Sequence, residues 1–101
     1  MKCKSFNAFF ETISNKTRMK IIEALMLGPL NVGEICKKTG EEQSKISHNL
    51  KILKQCRVVD VKTKGKERIY SLNKDTIIPL MKLVEKHVSR YCGCGCLRRL
   101  K

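Results

Sequence analysis

Acidic residues are scarce in this sequence: nine aspartates and glutamates stand against 22 lysines and arginines in 101 residues, a formal net charge of +13. A small body with a pI near 9.8 favours polyanions, nucleic acid first and anionic membrane second. Long apolar runs are also missing. Nothing approaches the roughly 20 residues that span a bilayer, and the opening MKCKSFNAFFETISNK holds an apolar stretch too short, and broken by Glu11, for a secretory signal. No membrane partner is therefore expected, and a cytoplasmic location is. Two prolines and six glycines beside 42% hydrophobic residues exclude disordered and fibrous classes. Catalytic equipment is thin: two histidines, no recognisable carboxylate pair and no glycine-rich phosphate loop argue against an enzyme. No Cys-x-x-Cys occurs either, against a redox or carrier domain of that kind. At 11.6 kDa there is room for one core.

What is present is a run of amphipathic segments. Phe6, Phe9, Phe10 and Ile13 recur at helical spacing, and Ser14 or Asn15 then offers a cap for a second helix over Lys16 to Leu27, with Met19, Ile22, Leu25 and Met26 on one face. Gly28 to Leu30 stops it. Val32, Ile35 and Cys36 mark a short third helix ending before Gly40, and Ile46, Leu50 and Leu53 a fourth from about Glu42 to Gln55. A short helix, a glycine turn and a second amphipathic helix make a helix-turn-helix. The fourth helix turns Gln43, Ser44, Lys45, Ser47, His48 and Lys51 outward, side chains of the kinds that contact base edges and phosphates. Val59 and Val61, a basic turn at Gly65, then Tyr70 and Leu72 alternate as a β-hairpin. Its tip carries Lys62, Lys64, Lys66 and Arg68 against Glu67, suiting a phosphate backbone. Ile77, Leu80, Met81, Val84, Val88 and Tyr91 stripe a last helix from about Asp75 to Tyr91.

With these pieces in order, the chain resembles the ArsR/SmtB family of winged-helix, metal-responsive repressors from about Phe6 to Tyr91. NKTRMKII, Asn15 to Ile22, looks like the family's second-helix opening; GEEQSKISHNLKILKQCRVV, Gly40 to Val59, is similar to its recognition helix; KGKERIYSL, Lys64 to Leu72, looks like its wing. The resemblance implies a mainly α winged helix-turn-helix with a β-hairpin wing, over residues 1–91. It further implies a homodimer through the first and last helices, each protomer placing its fourth helix in a major groove of double-stranded DNA. The operator expected is an inverted repeat. Three departures stand out. Asn31 and Gly33 occupy the third-helix positions where many members carry Cys-x-Cys. The last helix offers Asp75 and His87 where another family site pairs Asp and His with a later His and Glu. Arg57 stands where a glycine commonly follows the recognition helix.

Sensing then falls to the Cys-rich basic tail, residues 92–101. Cys92, Cys94 and Cys96 alternate with glycines, so the backbone can curl and bring several sulfurs onto one ion. Thiolates are soft donors, which suits Zn(II), Cd(II), Cu(I) or iron-sulfur centres, and three of them suit As(III). Zinc normally takes a fourth ligand, for which Cys3 is a candidate. The expected effector is a thiophilic ion, As(III), Cd(II) or Zn(II), with no organic cofactor. Arg90, Arg98, Arg99 and Lys101 should lower the thiol pKa values, which also leaves thiol-redox sensing open. A metal-independent regulator is the other alternative. Cys36 and Cys56 read as core-packing residues. His48 reads as a DNA contact and His87 as an interface residue.

Overall fold

A computed structural model describes residues 5–92. Five helices and one hairpin follow in order: α1 Phe6–Ser14, α2 Lys16–Leu25, α3 Val32–Thr39, α4 Gln43–Gln55, β1 Val59–Lys64, β2 Glu67–Leu72 and α5 Ile77–Tyr91. Local chemistry sets most boundaries. Ser5 Oγ accepts from the Ala8 amide at 3.1 Å, and Asn15 Oδ1 takes the Thr17 and Arg18 amides at 3.0 and 3.1 Å. Each cap satisfies backbone donors that a helix start leaves unpaired. Asn31 and Glu34 close a reciprocal capping box on α3.

Helices α2, α3 and α4 enclose the core, where Ile21, Ile22, Ile35, Ile46, Leu50, Leu53, Val58, Val59 and Leu72 are fully buried. The expected stripe of α2 was too narrow. Ile21 is 0% exposed, while Met19 and Met26 are only partly buried at the core margin. The reason is that α2 packs against α1, α3 and α4 together, so its apolar arc must be wider than one stripe. The helix also ends at Leu25 rather than Leu27, since Met26 caps it and Gly28 turns away at φ +141°. Leu30 does more than end a helix. Its amide and carbonyl pair with Tyr70 at 3.0 and 2.8 Å, adding a one-residue bridge beside β2 that ties the hairpin to the start of α3.

Helix α5 begins at Ile77 rather than near Asp75, because Asn73 Oδ1 accepts the Asp75 amide at 2.9 Å in a local turn and Thr76 is the cap. Pro79 then falls in the first turn, where a missing N–H has no helical acceptor to lose. Ile77 is buried in the core, and Ile78 and Met81 pack against it. Beyond them the apolar stripe is open: Leu83 is 63%, Val84 41% and Tyr91 68% exposed. At the other end of the chain Phe6 is 87% and Phe10 52% exposed.

Arg57 adopts φ +57°, the left-handed conformation that glycine takes without penalty. The turn therefore keeps the handedness of the glycine pattern despite the different residue. The Arg57 amide donates to Lys54 O at 3.0 Å and the Val58 amide to Leu53 O at 2.9 Å, the paired bonds of a Schellman end, with Val58 and Leu53 both buried. A left-handed non-glycine residue costs roughly 1–2 kcal/mol, and the exposed Arg57–Asp60 pair at 3.5 Å returns little of it. Arg57→Gly should raise unfolding free energy by about 0.5–1 kcal/mol and Arg57→Val should lower it by about 1 kcal/mol in denaturant titrations. Equal effects of the two would rule out strain at this turn.

Candidate nucleic-acid interface

The α3–α4 turn is short and well determined. Gly40 sits at φ +73° with its amide on Cys36 O at 2.8 Å, and Thr39 Oγ1 accepts the Glu41 amide at 3.3 Å. Glu41 then takes two cations, Lys20 at 3.1 Å and Lys45 at 3.2 Å. The Lys20 hydrogen bond, followed by that of Lys45, holds the Glu41 carboxyl below the ordinary carboxylate range. This clamps α2, the turn and the first turn of α4 together. It also draws the Lys45 ammonium back toward the turn.

Helix α4 divides cleanly. Ile46, Asn49, Leu50 and Leu53 face inward and are buried, whereas Gln43, Ser44, Lys45, Ser47, His48 and Lys51 are all exposed. Ser44, Ser47, His48 and Lys51 follow i, i+3, i+4, i+7 spacing and so share one outward face. Asn49 is the exception among the buried residues. It is 7% exposed, its Oδ1 accepts from Arg18 Nε at 3.0 Å and its Nδ2 donates to Lys45 O at 2.8 Å. Arg18 Nη1 also donates to Thr12 O at 2.9 Å. The outward-face reading passed over this pair. A polar residue within the buried spacing of Ile46, Leu50 and Leu53 was the available signal.

The hairpin pairs Val59 with Leu72 through to Lys64 with Glu67, leaving Gly65 and Lys66 as a two-residue loop with Gly65 at φ +63°, the glycine-first form of a tight hairpin. Alternation puts Val59, Val61, Tyr70 and Leu72 on the core face. Lys62 and Lys64 lie on the opposite face, Arg68 shares the core-facing side beyond the core, and Lys66 tops the loop. All four cations are exposed. Glu67 is held aside by a 3.3 Å bond from Asn31 Nδ2.

The cysteine set is only partly described. Cys92 caps the end of α5 and is half-buried; Cys3, Cys94 and Cys96 lie outside the described residues. Among the described residues no three His, Cys, Asp or Glu side chains gather as a metal site. Asn31, at one family thiol position, is a helix cap. The His87 and Tyr91 rings pack at a tilt of 45° with centroids 5.0 Å apart. Cys36 and Cys56 pack against the core as half-buried residues. No helix among the described residues is long and apolar enough to cross a membrane.

Two helices joined by a three-residue turn, with a basic two-stranded wing after the second, define a winged helix-turn-helix DNA-binding domain. The profile of the family described as "Bacterial regulatory protein, arsR family" matches residues 15–61, from the Asn15 cap into β1. The transcriptional repressor SdpR of Bacillus subtilis is 40% identical over 67 residues, 66% of this chain and 74% of that protein. The crystal structure of Rv0081 from Mycobacterium tuberculosis superposes at a TM-score of 0.78 with 30% identity, covering 86% of this chain and 88% of that one. Mb0332 of Mycobacterium bovis, solved as a homodimeric winged helix-turn-helix DNA-binding domain, shares the fold at a TM-score of 0.75 and 24% identity, covering 81% of this chain and 76% of that one. The chain belongs to the ArsR family of bacterial regulatory proteins. It is a DNA-binding transcriptional regulator, not an enzyme.

The Glu41 clamp has a defined pH dependence. Its carboxyl titrates lower in the folded chain than the ordinary 4.5, so its stabilisation is complete above that value and is lost as pH falls through the lowered one. Glu41→Gln should melt below the wild type at about pH 7, with the gap narrowing as pH falls below the ordinary carboxylate value and through the lowered one. A gap that stays constant across that range in thermal scans would mean the carboxylate charge contributes nothing.

Proposed function

We propose that this regulator is a dimeric cytoplasmic repressor that grips an inverted-repeat operator and leaves it when its tail thiols bind a soft ion. The observation that carries the dimer is the uncovered apolar surface at both ends of the chain. Phe6 and Phe10 on α1, with Leu83, Val84 and Tyr91 on α5, expose large hydrophobic side chains that a lone protomer leaves in water. A second copy covers them through a self-complementary contact. Two copies of α4 then face one side, matching half-sites about one helical turn apart, roughly 10 base pairs. Ser44, Ser47 and His48 supply sequence preference. Gln43, Lys45 and Lys51 flank them, and Lys62, Lys64, Lys66 and Arg68 hold phosphates, which position the protein without reading sequence.

The domain so assigned is residues 1–91, and the effector segment is 92–101. Cys92 supports that division, since it caps α5 and the next two thiols follow through glycines. Cys92, Cys94 and Cys96 form a trigonal thiolate set of the kind As(III) takes, with Cd(II) or Zn(II) as the alternatives and Cys3 as a further ligand for a four-coordinate ion. Because α5 carries half of the proposed dimer surface, an ion that orders its end can favour a different dimer geometry. A coupling of about 1–3 kcal/mol changes DNA affinity roughly 5- to 150-fold.

Three outcomes are expected. Val84→Asp or Phe10→Asp should turn a dimer into a monomer in sedimentation equilibrium; a wild type that is already monomeric at micromolar concentration would remove the dimer. Alanine at all four wing cations should flatten the salt dependence of DNA binding by up to about one unit of slope per residue, whereas an unchanged slope would take the wing off the DNA. Serine at any one of Cys92, Cys94 and Cys96 should abolish ion-induced DNA release and leave ion-free binding intact, while Cys36→Ser should leave release unchanged. Release that persists in the triple serine variant would place the sensor elsewhere, and release by diamide but by no ion would make it a redox sensor.

A further inference from the structure

We propose that Arg18 is a positioning residue for DNA reading, fixing the rotation of α4 relative to α1 by holding Asn49 and the Thr12 carbonyl with one guanidinium. It rests on α4 as the reading helix. The geometry is a three-element junction. Asn15 caps α2 and binds the Arg18 amide at 3.1 Å, so the residue starts from a fixed backbone. From there Nε reaches Asn49 Oδ1 on α4 at 3.0 Å and Nη1 reaches Thr12 O in the last turn of α1 at 2.9 Å.

Apolar packing alone holds α4 without direction. Ile46, Leu50 and Leu53 are buried to 1% exposure or less, and such a stripe tolerates small rotations because burial depends on area, not on angle. A hydrogen bond from a planar, pre-organised fork to a buried amide is directional. Asn49 lies next to His48 and two residues from Ser47, so its position sets theirs. A rotation of about 20° would move a side-chain tip some 5 Å from the helix axis by about 2 Å, enough to lose a bond to a base edge. The Thr12 bond carries the same constraint to α1. If α1 pairs with its copy, the orientation of each reading helix is thereby tied to the dimer.

The test compares two affinities in each variant: for a duplex enriched from a random pool by the wild-type protein, and for a scrambled duplex of the same composition. Both are measured at one salt concentration, below every variant's melting transition. Arg18→Gln and Asn49→Ala should each lower the enriched-to-scrambled ratio roughly 5- to 20-fold, about the discrimination carried by one base pair. The double variant should lose no more than either single one. Asn49→Asp, which keeps an oxygen acceptor for Arg18, should retain the wild-type ratio within about threefold. It keeps the inference testable should Arg18→Gln fail to fold. A role confined to stability would lower the melting temperature and leave the ratio alone, and that result overturns the proposal. So does an equal loss in Asn49→Asp and Asn49→Ala. Ser47→Ala and His48→Ala separate the two levels. If they move the ratio and Arg18→Gln does not, Arg18 is not the positioner and α4 still reads. If none moves it, α4 is not the reader and the role of Arg18 falls with it.

Discussion

The 13 residues of α4 must be gripped along one side so that the other stays free, and the rest of the molecule follows from that constraint. Ile46, Leu50 and Leu53 supply the grip by inserting among Ile21, Ile22, Ile35 and Val58 in one cluster. Burying such residues contributes about 1.5–3 kcal/mol each. The outward face contributes none of this, so its residues can be chosen for a ligand. Both ends of α4 are clamped by other means. The Gly40 turn and Glu41 hold the start, and the left-handed Arg57 with the Val58 bond holds the finish.

Acidic residues are few, and several serve as internal ties. Glu34 completes a cap, Glu41 joins Lys20 to Lys45, Asp60 meets Arg57 and Glu67 accepts from Asn31. Four of the nine acids are thus engaged with neighbours. Among the described residues most lysines and arginines form no ion pair, and a basic field of that kind draws a polyanion from a distance. Salt weakens such attraction within a Debye length of about 8–10 Å. Bound phosphates would therefore be held by many weak charges, and sequence by a few side chains on one helix face.

Much of the fold was legible in the residues. The glycines at 40 and 65, the asparagine at 15 and the apolar spacings marked the turns, one cap and five helices, because these signals depend on neighbours a few residues away; the Asn31 cap was found only in the structure. The open faces of α1 and α5 were also readable, since the sequence has more apolar surface than so small a body can cover. The outward side chains of α4 and the wing cations were found by the same spacing. Helix α2 escaped in part, because a helix packed on several sides has no single stripe to count.

What the sequence determined by itself was element order, the polarity of each face and the charge that selects a polyanion. These are set by local geometry and composition. Tertiary structure alone decided that Leu30 pairs with Tyr70, that Glu41 joins Lys20 to Lys45, that Glu67 turns toward Asn31 and that Arg18 meets Asn49 across 31 positions. A hydrogen bond between distant residues leaves no periodic trace, since its two partners share no spacing until the chain has folded and brought them within about 3 Å.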